Sequence, residues 1–124
     1  MPELVSREKD DVLVVGFTSQ AIVADALISK IGKEFRRLVD RSGPKLLLDF
    51  RGVRHMSSAM INQILLLYQN CSEAKIQLKL CNLDPELKEV FSATGLNKLL
   101  KMYDSEADAL AAFKKKRWFG WLSD

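Results

Sequence analysis

The chain has 124 residues, 48% hydrophobic and 28% charged, which is typical of one globular domain with a single core. Its N-terminal residues are charged where a signal peptide needs an apolar stretch, and no segment has membrane-spanning length, so we expect a cytoplasmic protein. Cys71 and Cys81 form no CxxC spacing and lie in apolar contexts. We therefore expect both to be reduced.

The net charge of +3 is confined to the end of the chain. Residues 1–113 contain 15 basic and 15 acidic residues, whereas residues 114–124 contain four basic residues and one acidic residue. Because the charges of residues 1–113 cancel, net charge gives no argument for nucleic-acid binding. We expect no nucleic-acid partner.

The first third of the chain predicts a hairpin followed by a long helix. A short edge strand at residues 4–5 is expected to pair, across a charged turn at residues 8–11, with the β-branched strand Val12–Phe17. Amphipathic periodicity then predicts a helix over residues 24–41, which Ser42-Gly43-Pro44 ends.

The middle of the chain alternates strands and helices. The continuous apolar run Leu46–Leu48, closed by Asp49, predicts a strand over residues 46–50 that is covered on both faces. A helix is expected from Ser58 to about Ser72, and the alternation at residues 76–81 predicts a strand with one more exposed face. Asp84 is a good cap for a further helix that has Pro85 at its first position.

The remaining elements complete an α/β pattern. Gly95 is expected to end the third helix, and residues 99–103 form a short strand. Ser105 then caps a last helix, with Asp108 at the capping-box position. This order predicts an open mixed sheet of about five strands flanked by about four helices.

Two serines, Ser57 and Ser58, lie where a strand passes into the second helix. The free N–H groups and positive dipole end of a helix favour an anion there, and Arg51, Arg54 and His55 on the preceding turn could contact a phosphate. The alternative is structural: Ser57 caps the helix, Ser58 is its first residue, and the three basic residues are solvated.

No residue pattern of an enzyme is present. The sequence has no Gly-rich phosphate loop and no nucleophile–histidine motif, and its single histidine, His55, has no second ligand at metal-binding spacing. We expect a non-enzymatic protein without a metal or cofactor.

The segment from the buried strand to the second helix resembles that of a STAS domain (sulfate transporter and anti-sigma-factor antagonist). Asp49 matches the strand-end Asp of bacterial antagonists, Met56 a methionine, Ser58 the first family serine and Ile61 a leucine. The resemblance covers nearly all of residues 4–113, including Lys79-Leu80-Cys81-Asn82-Leu83-Asp84-Pro85-Glu86 and Thr94-Gly95-Leu96. It implies the STAS fold.

The resemblance also implies a mechanism. In antagonist members, the serine matching Ser58 is phosphorylated by the anti-sigma factor, which is itself a serine kinase; the unmodified form binds that kinase and releases the sigma factor. Here Ser57 replaces the family Asp, Ala59 the second serine and Met60 the glycine, and Met60 is expected to add bulk at the partner surface. These departures support an alternative, a non-phosphorylated STAS scaffold or transporter-associated module.

The C-terminal tail, residues 114–124, combines four basic residues with Trp118 and Trp121. Such a segment suits weak attachment to an anionic membrane, or docking into a partner's groove. Alternatively, the tryptophans pack on the domain or on a second copy in a homodimer, since exposed tryptophans usually find cover.

We expect residues 1–113 to fold without the tail, because the last helix already has its cap at Ser105 and its apolar residues by Phe113. Deletion of residues 114–124 should therefore change the melting temperature little, as measured by thermal denaturation. A clear drop would instead indicate that Trp118 and Trp121 pack on the body, where burial of two indoles contributes several kcal/mol at about 25 cal/mol per Å².

Overall fold

The computed structural model describes residues 2–114. Its helices and strands follow in the order β1 (Leu4–Lys9), β2 (Val12–Phe17), β3 (Ala21–Ile22), α1 (Asp25–Arg41), β4 (Lys45–Asp49), β5 (His55–Met56), α2 (Ser58–Glu73), β6 (Gln77–Cys81), α3 (Pro85–Ala93), β7 (Lys101–Tyr103) and α4 (Glu106–Lys114).

Five of the strands form one mixed sheet in the order β1-β2-β4-β6-β7. β1 is antiparallel to β2, and every other neighbouring pair is parallel. The central strand β4 carries Leu46, Leu47 and Leu48, which are completely buried because both faces of the sheet are covered. The carboxyl ends of β2, β4, β6 and β7 therefore meet along one edge of the sheet.

The helices cover the two faces unequally. Core residues of α1, α2 and α3, such as Ile31, Ile64 and Phe91, pack with Leu48 on one face. On the opposite face, α4 packs Leu110 and other residues against Leu47 in a smaller cluster. The predicted fold class, a mixed five-stranded sheet with four helices, is confirmed.

The β1–β2 hairpin differs from its prediction in two respects. β1 runs for six residues rather than two, and the turn consists only of Asp10 and Asp11, with φ of 54° and 67°. A two-residue turn with both positions in the left-handed region fits the right-handed twist of the paired strands, and aspartate tolerates that backbone.

Several predicted boundaries move by a few residues. α1 begins at Asp25, β4 spans Lys45–Asp49, and β6 begins at Gln77. The last strand begins at Lys101, because the residues before it, Leu96–Lys98, form a 3-10 helix. The short strands β3 and β5 were not predicted; they pair with each other in a separate two-stranded sheet.

The end of the last helix lies close to the predicted boundary of the domain. α4 ends at Lys114, and Phe113 is buried against the sheet. The tail residues Trp118 and Trp121 lie outside the described residues. No helix within residues 2–114 is long and apolar enough to cross a membrane.

Candidate functional site

The carboxylate of Asp49 joins three segments at the carboxyl edge of the sheet. Its Oδ1 accepts a hydrogen bond from the Arg51 backbone N–H at 3.0 Å and one from Asn82 Nδ2 at 2.9 Å. Asn82 follows β6 with φ of 60°, and its own N–H donates to the Tyr103 carbonyl at 3.1 Å. The strand-end Asp49 thus fixes the start of the loop that leads to α2.

That loop begins with a tight turn. The Val53 N–H donates to the Phe50 carbonyl at 3.0 Å, and Gly52 takes φ of 86°. Only glycine adopts this backbone without strain, so the turn requires Gly52. Phe50 and Val53 are buried while Arg51 and Gly52 face solvent, which anchors the loop on both sides of its exposed tip.

A second anchor comes from the segment that precedes α1. The Gln20 carbonyl accepts hydrogen bonds from the N–H groups of Arg54 (2.8 Å) and His55 (3.3 Å), and the Ile22 carbonyl accepts one from Ser57 (3.1 Å). β3 pairs in parallel with β5 between these bonds. The backbone just before α2 is therefore held against residues 20–22.

Ser57 is the N-cap of α2. Its backbone is extended, with φ −81° and ψ 164°, and its Oγ accepts a hydrogen bond from the Met60 N–H at 3.4 Å. Its carbonyl accepts the Ile61 N–H at 3.1 Å. Ser57 therefore takes the capping position of the structural alternative, and its hydroxyl shares the Met60 N–H with its own carbonyl, which lies 3.1 Å from that nitrogen.

Ser58 has a different environment one residue later. It is the first residue of α2, it is exposed, and the first turn of this helix contains no acidic residue. Each of the other three α-helices within residues 2–114 has an acidic residue in its first turn: Asp25 in α1, Glu86 in α3, and Glu106 and Asp108 in α4. The positive end of α2 is therefore not neutralised by its own side chains.

The structure corrects the expectation for Met60. Its side chain is completely buried in the main core rather than placed at a partner surface. Met60 occupies the third helical position, and its side chain points inward from the first turn with that of Ile61. Its bulk fills the core and leaves the exposed start of α2 to Ser58 and Ala59.

Arg51, Arg54 and His55 lie around the same loop with exposed side chains. Neither arginine forms an ion pair within residues 2–114. The backbone brings all three residues to the carboxyl edge, on the loop between β4 and α2, but no hydrogen bond joins their side chains to Ser57 or Ser58 among the described residues. Their role as phosphate contacts remains a prediction.

Both cysteines of the chain are buried in the folded domain. Burial, with the negative charges of Asp49 and Glu106, raises the pKa of the Cys81 thiol to about 12. Burial alone raises the pKa of Cys71 to about 11. Both thiols are therefore protonated at neutral pH, and no group of three potential metal ligands exists within residues 2–114.

Sequence patterns missed two features of the site, the β3–β5 pairing and the Asp49–Asn82 hydrogen bond. Two-residue strands show no periodicity, so no pattern could have found β3 and β5. The positions of Asp49 and Asn82, each directly after a strand of a parallel sheet, could have indicated that they meet at one edge.

The unequal roles of the two serines give a stability prediction. Ser57→Ala should lower the free energy of unfolding by about 0.5–2 kcal/mol, because it removes the cap of α2, whereas Ser58→Ala should change it by less than about 0.5 kcal/mol. Urea denaturation of both variants measures this difference. A loss for Ser58→Ala that equals or exceeds the loss for Ser57→Ala would contradict the assignment.

Comparisons with known proteins agree with this architecture. A family model described as STAS domain matches residues 3–109. The chain is 30% identical over 95 residues, 77% of this chain and 82% of the relative, to BtrV of Bordetella bronchiseptica, which is provisionally assigned as an anti-sigma factor antagonist.

Solved structures show the same fold. An anti-sigma-factor antagonist (STAS) domain protein from Planctomyces limnophilus superposes with a TM-score of 0.82 at 21% identity, covering 90% of this chain and 98% of that chain. The Bacillus cell fate determinant SpoIIAA in its phosphorylated form gives 0.67 at 13% identity, covering 89% and 98%. On the family match and the similarity to BtrV, this chain belongs to the STAS domain family.

Proposed function

We propose that the chain is a regulatory protein-binding domain of the anti-sigma-factor-antagonist type, which phosphorylation of Ser58 switches. The observation that carries the proposal is the different environment of the two adjacent serines at the start of α2. Ser57 is committed to the cap, while Ser58 is exposed at a helix end that has no acidic residue. The names of BtrV and SpoIIAA, and the phosphorylated form of SpoIIAA, support the same class of function.

The surface around Ser58 suits a protein partner. Ala59 follows it on α2, and both residues are exposed. Because the Ser57 N–H contacts the Ile22 carbonyl, the exposed Ala21 and Val23 lie on either side of that contact. Val23 keeps 53% of its accessible surface, so its side chain is available to a partner that docks over Ser58.

A phosphate on Ser58 would act through charge. It adds about −1.5 to −2 at neutral pH, which the positive end of α2 tolerates within the free domain. In a docked complex, the same charge must be desolvated and repels acidic groups of the partner, so it weakens binding. The partner is a serine kinase of the anti-sigma-factor class, which both binds and modifies this surface. The buried position of Met60 supports access to Ser58, because no bulky side chain from that position covers it.

Charge-mimicking variants test this switch. With the kinase-type partner recovered from the source cells by the unmodified chain, Ser58→Ala should bind as the wild type does, and Ser58→Glu should bind at least about tenfold more weakly, or roughly 1.4 kcal/mol. Isothermal titration calorimetry or surface plasmon resonance gives both dissociation constants.

Ser72→Glu is the matched control. Ser72 is exposed in the last turns of the same helix, about 20 Å from Ser58 at 1.5 Å per residue, so the same charge change should leave binding unaltered. Equal binding by Ser58→Ala and Ser58→Glu would refute the switch and favour the constitutive scaffold or transporter-associated module.

A further inference from the structure

The strand β1 lies at one edge of the five-stranded sheet, and no strand within residues 2–114 pairs with its outer side. Lys9 and Val12 flank the two-residue turn, so they form a hydrogen-bonded pair, and such pairs alternate along the strand from there. The Glu3 carbonyl fits this alternation, because it accepts the Thr18 N–H at 3.1 Å. The N–H and C=O groups that point away from the sheet are therefore those of Leu4, Ser6 and Glu8.

Only the second half of this edge carries the charged side chains that protect an unpaired strand. Arg7, Glu8 and Lys9 follow one another there, whereas the first half presents Val5, which keeps 53% of its accessible surface. Val5 lies on the same face of the sheet as Arg7, which forms an ion pair with Glu106 of α4. The first half of the edge is therefore open to another strand on its main-chain side and apolar on its α4 face.

The strand is complementary to itself in one antiparallel register. When Val5 lies opposite Val5 of a second copy, Leu4 lies opposite Ser6, and both of these residues have free main-chain groups. Glu3 then lies opposite Arg7 on the α4 face, so an ion pair flanks the two valines on each side. Moving the centre to Ser6 would place Val5 opposite Arg7, and moving it to Arg7 would place two arginines opposite each other.

We propose that two copies of this chain pair through the outer edges of their β1 strands, antiparallel and with a two-fold axis at Val5. The contact joins the two five-stranded sheets into one, and it uses the same surface on both copies. It is separate from the switch at Ser58, because none of its residues belongs to the loop between β4 and α2.

A groove between β1 and α1 supports this contact on the other face of the sheet. The groove has a volume of about 260 Å³, and Leu4 and Ser6 line it from the strand. Glu34 and Arg41 are among the residues that line it from the helix. The Glu34 Oε2 atom is buried without a hydrogen-bond partner within residues 2–114, and Arg41 forms no ion pair there.

The two-fold axis supplies Glu34 with a cation. Arg41 lies at the Ser6 end of the groove, where its Nη2 donates to Ser6 Oγ at 2.7 Å. Since α1 runs in the same direction as β1, Glu34 lies toward the Leu4 end. The axis at Val5 reverses this order in the second copy, so Glu34 of each copy faces Arg41 of the other.

Sedimentation equilibrium of the full chain tests the contact. The mass should approach that of two copies in a reversible manner as the concentration rises to about 1 mM, because a single strand edge buries less surface than a standard interface. Val5→Lys places two like charges opposite each other and should lower the association constant at least about tenfold. Ser6→Pro should do the same, because it removes an outward N–H, which an edge strand tolerates. Val90→Lys is the matched control, an exposed valine on α3, and should leave association unchanged.

Paired charge reversals test the register. Glu3→Arg and Arg7→Glu should each weaken self-association, because each places like charges opposite one another across the two strands. A mixture of these two variants should form the dimer again, because every pair across the strands then has opposite charges. In the register centred on Ser6, Glu3 lies opposite Lys9, so Glu3→Arg would instead be complemented by Lys9→Glu. Circular dichroism of each variant checks that the domain is folded.

Three results would overturn the proposal. The first is a wild-type mass that stays at one copy up to the highest concentration. The second is a dimer that both Val5→Lys and Ser6→Pro leave intact, which would place the contact elsewhere on the chain. The third is recovery of the dimer by Lys9→Glu rather than by Arg7→Glu in the mixture with Glu3→Arg, which would exclude an axis at Val5.

Discussion

The capped start of α2 gives two adjacent serines different environments: the Ser57 hydroxyl lies 3.4 Å from the Met60 N–H, whereas the Ser58 side chain is exposed. Ser57 is the extended N-cap, Ser58 is the first helical residue, and Met60 is completely buried in the core. The cap in turn depends on the loop before it, which Asp49 holds at the end of β4 and the carbonyls of Gln20 and Ile22 hold from the other side. Hydrogen bonds from two neighbouring segments therefore anchor the start of α2.

Much of this arrangement could be predicted from the sequence because it depends on local signals. The buried run Leu46–Leu48, the cap at Asp84 with Pro85, and the cap at Ser105 each specify an element through nearby residues, and each is present. The inward position of Met60 follows from helical spacing rather than from its place in a family motif, because Met60, Ile64, Leu67 and Cys71 recur on one face of α2 and all are buried. The β3–β5 pairing and the full length of β1 depend instead on tertiary contacts, because neither has an apolar pattern of its own.

The two ends of the sheet have different characters. At the carboxyl edge, an uncompensated helix end and exposed small apolar residues surround Ser58. At the amino edge, Asp10 of the hairpin forms an ion pair with Lys114 at the end of α4.

The central claim, that Ser58 rather than Ser57 carries the switch, is tested most directly by mapping phosphate on the wild-type chain. After incubation with the serine kinases of the source cells, tandem mass spectrometry should locate phosphate on Ser58 and leave Ser57 unmodified, because the Ser57 hydroxyl is partly buried and bonded to the helix. Phosphate on Ser57 alone, or on neither serine, would contradict the account.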